Sequence, residues 1–282
     1  MVKKDGFYFL NGLDKDYLVV ESDRLDNCLQ YINNNKINHI YICNLYYFYD
    51  NLDFLKECNF IEYINVNSDY VINYDGLFYL SNLKKLIIQV VKTAIDLESL
   101  KSLNELAVDL KNKNVKGIDK IANLKKLGIW HYNPKSLDLS ELSVISSLEE
   151  LKIVGSNINS FNGCEKLHNL KVLDCAYMSK LENIENLSYL EKTLQTLEFE
   201  SCKKIINHES VISLNNLDTL KFVNCGEIDT IKFIDKMPNL KSFIFLGTTV
   251  IDGDMSPCAR LEYVAFSNKK HYSHKVENFR SI

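Results

Sequence analysis

The stretch Asp252-Gly253-Asp254 could do chemistry, because its two carboxylates could offer oxygen ligands to a hard cation such as Ca²⁺. A calcium-binding loop also needs further acidic positions and a closing glutamate, and the neighbouring sequence supplies neither. The same residues are good turn formers, since aspartate bonds to its own backbone and glycine accepts a positive φ. We therefore favour a turn here and expect no metal.

Histidines are the next candidates, as metal ligands or as general bases. His271 and His274 would share one face if they lay on a helix. A zinc site needs more ligands, and no cysteine or acidic cluster beside them supplies any. We interpret their surroundings as a solvated basic tail, or as a patch that touches acidic groups of a partner. His131 and His168 have no adjacent nucleophile in the sequence, although a triad built from distant residues stays open.

The remaining chemistry-bearing signals are weak. The sequence contains no phosphate-binding loop, nucleophile elbow, zinc-protease or dinucleotide-binding motif. We therefore predict a protein that is not an enzyme and binds no cofactor. The net charge of −4 and the pI of about 5.9 disfavour a nucleic-acid partner, which usually requires a basic face.

The spacing of the cysteines and the hydropathy of the chain bear on the cellular compartment of the protein. The eight cysteines are scattered singly with no C-x-x-C pair, which suits neither a zinc site nor a disulfide scaffold. No apolar run approaches the roughly 18 residues of a membrane span, and the N-terminal residues do not resemble an export signal. We expect a cytoplasmic protein with reduced thiols and no membrane contact.

The elements that position the side chains follow from one recurring pattern, L-x-x-L-x-L, in which Ile, Val or Phe also serve. Leu217, Leu220 and Phe222 form a clear copy. Successive copies start 20 to 24 residues apart, a period typical of leucine-rich repeats. The copies begin at Ile37, Ile61, Leu83, Leu103, Leu124, Leu148, Leu170, Leu194, Leu217, Leu240 and Leu261.

These copies resemble the repeats of bacterial leucine-rich repeat proteins, and their short consensus is similar to that of internalins, here of a stand-alone cytoplasmic type. The resemblance implies an α/β solenoid: a leucine-rich repeat horseshoe with a parallel β-sheet on the concave face and irregular, 3-10 or short helical connections on the convex face. We divide the chain into an N-terminal cap (1–36), a solenoid of about eleven repeats (37–267) and a C-terminal tail (268–282). The cap is predicted to hold strands at 7–10 and 17–20, followed by a helix.

In such repeats a buried asparagine often follows the strand, and here Cys202 and Cys225 occupy that position. Thiols are weak hydrogen-bond partners, and buried ones are usually inert. We expect both cysteines to be structural.

Alternation along each strand decides which side chains face a partner. Trp130, the single tryptophan, is followed by His131 and Tyr132, and we predict an aromatic cluster beside a concave strand. The alternative is a Trp130 that only packs against its neighbours. An acidic group is interleaved with lysines, and we expect Asp174 and Glu198 to lie on adjacent strands, where a basic partner would relieve their repulsion. A plain solvated face is the alternative. The candidate partner-binding residues are Tyr63, Glu105, Asp109, Lys126, Trp130, His131, Tyr132, Glu150, Lys152, Asp174, Tyr177, Glu198 and Glu200.

The functional prediction is a monomeric module that binds a protein partner on its concave face. Our more specific hypothesis is an immunity protein that sequesters a basic toxin domain. The main alternative is a secreted effector or adhesin-type protein that acts on a host protein. An enzyme assembled across repeats and a structural scaffold are further alternatives.

Overall fold

The structure is a computed structural model that describes residues 1–12 and 15–279. The chain divides into two compact units, Met1–Ile129 (unit 1) and Trp130–Ile282 (unit 2).

Unit 1 combines an N-terminal hairpin, one α-helix and a series of short parallel strands. Its helix is α1 (Leu25–Asn35), and 3-10 helices span Ser22–Arg24, Asp53–Glu57, Asp75–Tyr79 and Ile118–Lys120. Its strands are β1 (Val2–Lys4), β2 (Phe7–Leu10), β3 (Tyr17–Val19), β4 (His39–Cys43), β5 (Tyr63–Asn67), β6 (Lys85–Ile88), β7 (Ile95–Asp96), β8 (Glu105–Asp109), β9 (Val115–Lys116) and β10 (Lys126–Trp130), whose last residue begins unit 2.

The N-terminal region of unit 1 forms the elements that the sequence predicts. Strands β1, β2 and β3 pair antiparallel, and β3 then pairs parallel with β4. Helix α1 buries Cys28, Leu29 and Ile32 on one face, and it ends at Lys36 in the left-handed conformation. From β4 onward the pairing is parallel, with Ile40 beside Ile64 and Ile64 beside Leu86. These aliphatic side chains are fully buried, because the strands alternate inward and outward residues.

Unit 2 repeats one arrangement with little variation. Its strands are β11 (Glu150–Val154), β12 (Val172–Ala176), β13 (Thr196–Glu200), β14 (Thr219–Val223), β15 (Glu227–Ile228), β16 (Ser242–Ile244), β17 (Thr249–Val250) and β18 (Tyr263–Ala265). The 3-10 helices span Cys164–Lys166, Glu185–Leu190, His208–Ser213, Lys232–Lys236, Ser256–Arg260 and Val276–Phe279. Strands β11, β12, β13, β14, β16 and β18 pair in parallel order, while β15 and β17 pair separately.

A left-handed turn ends the strands of unit 2. It is made by the eighth residue of the six repeats that begin between residues 124 and 240, which has a φ between 52° and 69°. The backbone N–H of these residues, from 131 to 224, donates to the seventh-position carbonyl of the next repeat at 2.8–2.9 Å. The eighth-position residues are His131, Gly155, Tyr177, Ser201, Asn224 and Gly247.

The residue after each of these turns points into the core. At Thr248 this inward residue is polar, and its hydroxyl donates to the Phe222 carbonyl at 2.6 Å and accepts the N–H of Cys225 at 2.9 Å. Backbone groups that the turn exposes are thereby satisfied inside the unit. The ninth-position residues are Tyr132, Ser156, Met178, Cys202, Cys225 and Thr248, and all are buried.

All eight cysteines lie within the described residues, and each is a buried free thiol. Cys202 and Cys225 occupy the ninth position as predicted. The Cys202 thiol lies 3.4 Å from the Glu200 carbonyl and 3.5 Å from that of Cys175. Its hydrogen bond with Cys225, together with burial, raises the pKa of the Cys202 thiol. A thiol that stays protonated is a poor nucleophile, which fits a structural role.

The segment after β18 covers the end of unit 2. The rings of Tyr272 and Phe279 lie 5.8 Å and 6.2 Å from that of Phe266, and Val276 is buried. The stretch predicted as a polar tail therefore packs against the last repeat as far as residue 279. The last three residues of that tail, 280–282, lie outside the described part. With parallel strands joined by 3-10 turns in both units, the predicted leucine-rich repeat solenoid is confirmed.

Candidate protein-binding face

The third, fifth and seventh repeat positions form the open face of the unit 2 sheet. The fourth and sixth positions of the same strands are buried, for example Leu151 and Ile153. Strand register therefore decides which outward side chains become neighbours.

The fifth position carries a charged row, Lys152, Asp174, Glu198 and Lys221, one residue per strand. Asp174 and Glu198 are direct neighbours, as predicted. Each is, however, paired on its other side, Asp174 with Lys152 and Glu198 with Lys221, the latter at 2.7 Å. The expected need for a basic partner at this pair is therefore wrong, because lysines of the flanking strands already neutralise both carboxylates.

Glu150 and Glu200 lie at opposite ends of their strands. Glu150 is half-buried at the start of β11. Glu200 ends β13 and is exposed, with Ala176 and Val223 as its register neighbours. Glu200 forms no ion pair with any residue that the structure describes. Its carboxylate is thus available to a partner's donor or cation.

Like Glu200, several aromatic side chains of unit 2 lie at or just after the end of a strand. Trp130 is half-buried at the end of β10. His131 is exposed at the eighth-position turn, and its ring lies over Gly155, since a Cβ there would sit 3.9 Å from the imidazole Cδ2. Tyr177, at the turn of a following repeat, is 58% exposed. We call Trp130, His131, Tyr177 and Glu200 the aromatic rim.

Tyr132 does not belong to this rim, contrary to the prediction. The positive φ of His131 turns the next residue inward, and Tyr132 is only 4% exposed. Its hydroxyl donates to the Asp138 carbonyl at 3.4 Å, and burial raises its pKa. A partner cannot reach this side chain.

The other predicted residues, Tyr63, Glu105, Asp109 and Lys126, belong to unit 1. The Tyr63 ring stacks on that of His39, with centroids 3.9 Å apart. Glu105 pairs with Lys85 at 2.8 Å. Tyr63 and Glu105 both line a cavity of about 420 Å³ on the strand side of this unit. The Asp109 carboxylate accepts a hydrogen bond from the backbone N–H of residue 111 at 2.8 Å. Lys126 is exposed at the start of β10.

Strand-end residues of unit 1 were missed by the sequence analysis. Leu45, Phe48, Tyr49, Tyr70 and Ile72 are between 44% and 70% exposed, and they follow strands β4 and β5. A signal was present, since these residues are apolar although they lie outside the repeat template, where polar residues are expected.

The aspartate and histidine residues considered as possible metal ligands form hydrogen bonds within unit 2 instead. Asp254 accepts hydrogen bonds from the N–H and hydroxyl of Ser256 at 3.0 Å and 2.6 Å, which makes it part of a turn. These bonds lower the pKa of the Asp254 carboxyl. His271 bonds the Val250 carbonyl at 2.9 Å, while His274 lies 2.9 Å from the Ser273 hydroxyl. Among residues 1–12 and 15–279, no group of three metal-ligating side chains comes together.

No helix in the described part of the chain has the length and hydropathy of a membrane span. No protein-family model and no curated protein matches the sequence. Solved structures do resemble it. A leucine-rich repeat protein of Leptospira interrogans has a TM-score of 0.57 at 16% identity, covering 83% of this chain and 68% of that one. An internalin of Listeria monocytogenes has a TM-score of 0.54 at 14% identity, covering 83% and 69%. At such identities the likeness shows the fold alone, an internalin-like leucine-rich repeat fold.

Proposed function

We propose that this chain is a non-enzymatic protein-interaction module that binds a protein partner through the aromatic rim of unit 2. The observation that supports it best is the backbone at Tyr177. A left-handed conformation costs a residue other than glycine about 1–2 kcal/mol, and glycine occupies the equivalent positions 155 and 247. Here the chain instead holds a tyrosine that is 58% exposed. An exposed aromatic side chain kept in a strained conformation is expected of a binding residue rather than of a packing residue.

The rest of the rim fits the same role. Trp130 and His131 supply further ring surface, and Glu200 adds a carboxylate that the described residues leave without an ion pair. Exposed aromatic anchors beside polar groups are common at the centre of protein interfaces.

The test uses Tyr177→Gly, a change that should relieve strain while deleting the ring. Affinity capture from the native cell with tagged protein, followed by mass spectrometry and by titration of the partner so identified, should show at least tenfold weaker binding. Tyr189→Ala is the matched control, because Tyr189 is 63% exposed on the 3-10 helix Glu185–Leu190, away from the strands. Equal binding by wild type and Tyr177→Gly would remove the rim from the interface.

We further propose that the partner is a toxin domain and that the chain acts as a monomeric, cytoplasmic immunity protein. The buried free thiols support this reading, because proteins of reducing compartments keep such cysteines reduced. Co-expression with a toxin encoded beside its gene should restore growth, and the rescue should be lost in Tyr177→Gly. The competing proposal is a secreted effector or adhesin-type protein, which the internalin-like fold favours. Secretion into the culture medium with no growth rescue would support that alternative.

A further inference from the structure

A second surface, on unit 1, has the properties of a docking site. The loops that follow β4 and β5 expose a patch of large apolar side chains, which we call the apolar edge: Leu45, Phe48, Tyr49, Tyr70 and Ile72. The rings of Phe48 and Tyr70 meet edge to face with centroids 5.7 Å apart. Such a cluster is costly to leave in water unless something covers it.

The two loops are held together, so the apolar edge has a fixed form. Asp69 and Asn44 exchange two hydrogen bonds of 2.6 Å and 3.0 Å between the loops. The N–H groups of Ile72 and Asn73 both donate to the Asp50 carbonyl, at 2.8 Å and 2.9 Å. A partner would meet preorganised side chains and would pay little ordering entropy on binding.

The surroundings of the apolar edge are strongly acidic. Residues 44–79 contain six Asp or Glu side chains and one lysine, a net charge of −5 in a chain whose total is −4. Asp50, Asp53 and Asp75 are exposed and form no ion pair with a described residue. Lys92 lies 3.9 Å from Asp69 and offsets part of this charge.

The acidic surface continues into a groove next to the apolar edge. Thr93 connects the two, because its hydroxyl donates to the Ile72 carbonyl and its neighbour Ala94 lines the groove. The groove has a volume of about 590 Å³, and Phe78 forms part of its wall. Three carboxylates, Asp75, Asp96 and Glu98, line it together with one lysine.

We propose that the apolar edge and this groove dock a segment of a protein partner that is rich in arginine and lysine. Aromatic faces attract cations, and long basic side chains place their aliphatic stems on apolar surface. The carboxylates would pair with the charged ends. Nucleic acids and anionic membranes would be repelled, and a second copy of this chain would bring two acidic edges together. This surface belongs to unit 1 and shares no residue with the aromatic rim of unit 2, so the proposal does not rest on the proposed function of the rim.

The experiment measures binding of fluorescein-labelled nona-arginine to the full chain by fluorescence anisotropy at 150 mM salt. The double variant Phe48→Ala/Tyr70→Ala removes both rings and leaves the net charge unchanged. We expect saturable one-to-one binding by the wild type, with at least tenfold weaker binding by this variant. A second variant, Asp50→Asn/Asp75→Asn, should also weaken binding at least tenfold.

Two controls separate a site from diffuse attraction. Asp229→Asn removes an exposed acid of unit 2, and Tyr189→Ala removes an exposed ring there, and both should bind as the wild type does. Tyr177→Gly should also leave peptide binding unchanged, which distinguishes this surface from the proposed rim. Wild-type affinity in Phe48→Ala/Tyr70→Ala, an equal loss in Asp229→Asn, or no saturable binding by the wild type would each overturn the proposal.

Discussion

The two units differ at the sixth repeat position, which is phenylalanine in several repeats of unit 2 and aliphatic in unit 1. In unit 2 the sixth position holds Phe199, Phe222 and Phe245, which are buried. The rings of Phe199 and Phe222 stack with centroids 5.5 Å apart. In unit 1 the sixth position is aliphatic, as at Ile42 and Val66, and exposed aromatic side chains follow strands β4 and β5.

The turns explain part of this difference. In unit 2 the left-handed eighth residue sends the ninth residue into the core, where Thr248 satisfies backbone groups. Residues 44 and 68, the eighth positions of the first repeats of unit 1, do not have a positive φ. There Leu45, at the ninth position, is 70% exposed, and Tyr47 fills the interior, with its hydroxyl bonded to the Asn51 carbonyl at 2.7 Å. The same repeat thus buries its strand residues in both units, but the residue after the eighth position is buried in the turns of unit 2 and exposed at Leu45 in unit 1.

The largest expected effect is on the phenylalanine core. Phe222→Ala should lower the free energy of unfolding by about 3–5 kcal/mol, because it leaves a cavity between Phe199 and His208. Phe48→Ala in unit 1, which is 48% exposed, should change it by less than about 0.5 kcal/mol. Urea unfolding of both variants measures the contrast, and similar losses would contradict a packing role for Phe222 and a surface role for Phe48.

The next effect is a pH dependence that originates in unit 2. His208 is buried against the Phe222 ring, its Nε2 has no hydrogen-bond partner, and burial lowers its pKa from 6.5 to about 4. Below pH 6.5 the His208 imidazole therefore binds a proton in the unfolded chain, whereas it stays neutral in the folded chain until the pH approaches 4. The stability that neutral His208 contributes is fully present above pH 6.5. As the pH falls towards 4 this stability is lost, and the free energy of unfolding decreases by about 3 kcal/mol in total.

His208→Leu is the variant that isolates this contribution. It removes the titrating ring and keeps an apolar side chain of similar size, so the fall in unfolding free energy between pH 6.5 and 4 should shrink by about 3 kcal/mol. Urea titrations at several pH values measure it. An unchanged slope would assign the acid sensitivity to other groups.

A smaller effect is expected at the ninth position. Thr248→Val keeps the shape of the side chain but leaves the Cys225 N–H without its acceptor and the Phe222 carbonyl without its donor. The loss should be about 1–3 kcal/mol of unfolding free energy. Thr248→Ser retains the hydroxyl and should lose clearly less. If valine and serine were equally destabilising, the missing methyl packing rather than the hydrogen bonds would be responsible.

The parts of the fold that follow from the repeat template could be predicted from the sequence. Spacing of leucines predicted the inward residues of the strands, and register placed Asp174 beside Glu198. The sequence could not show that Lys152 pairs with Asp174 and Lys221 with Glu198, because whether a side chain reaches across to the next strand depends on its conformation. Tyr132 was misplaced because histidine favours a left-handed turn without requiring one, so the residue type of His131 alone did not place the turn there.

The smallest expected effect compares two serines at the same repeat position. Ser201 has a φ of 55° in unit 2, whereas Ser68 in unit 1 lacks a positive φ, is 1% exposed and accepts the N–H of Tyr70 at 3.3 Å. Ser201→Gly should raise the unfolding free energy by up to about 1 kcal/mol, since relief of the left-handed strain exceeds the entropy that glycine adds to the unfolded chain. Ser68→Gly should lower it by about 1 kcal/mol, because it adds that entropy and deletes a buried hydroxyl. Thermal unfolding of both variants, at matched protein concentration, measures the two shifts. Opposite signs would confirm that the backbone at the eighth position is left-handed at Ser201 and not at Ser68. Equal signs would mean that this difference in turn geometry does not decide which residues are buried.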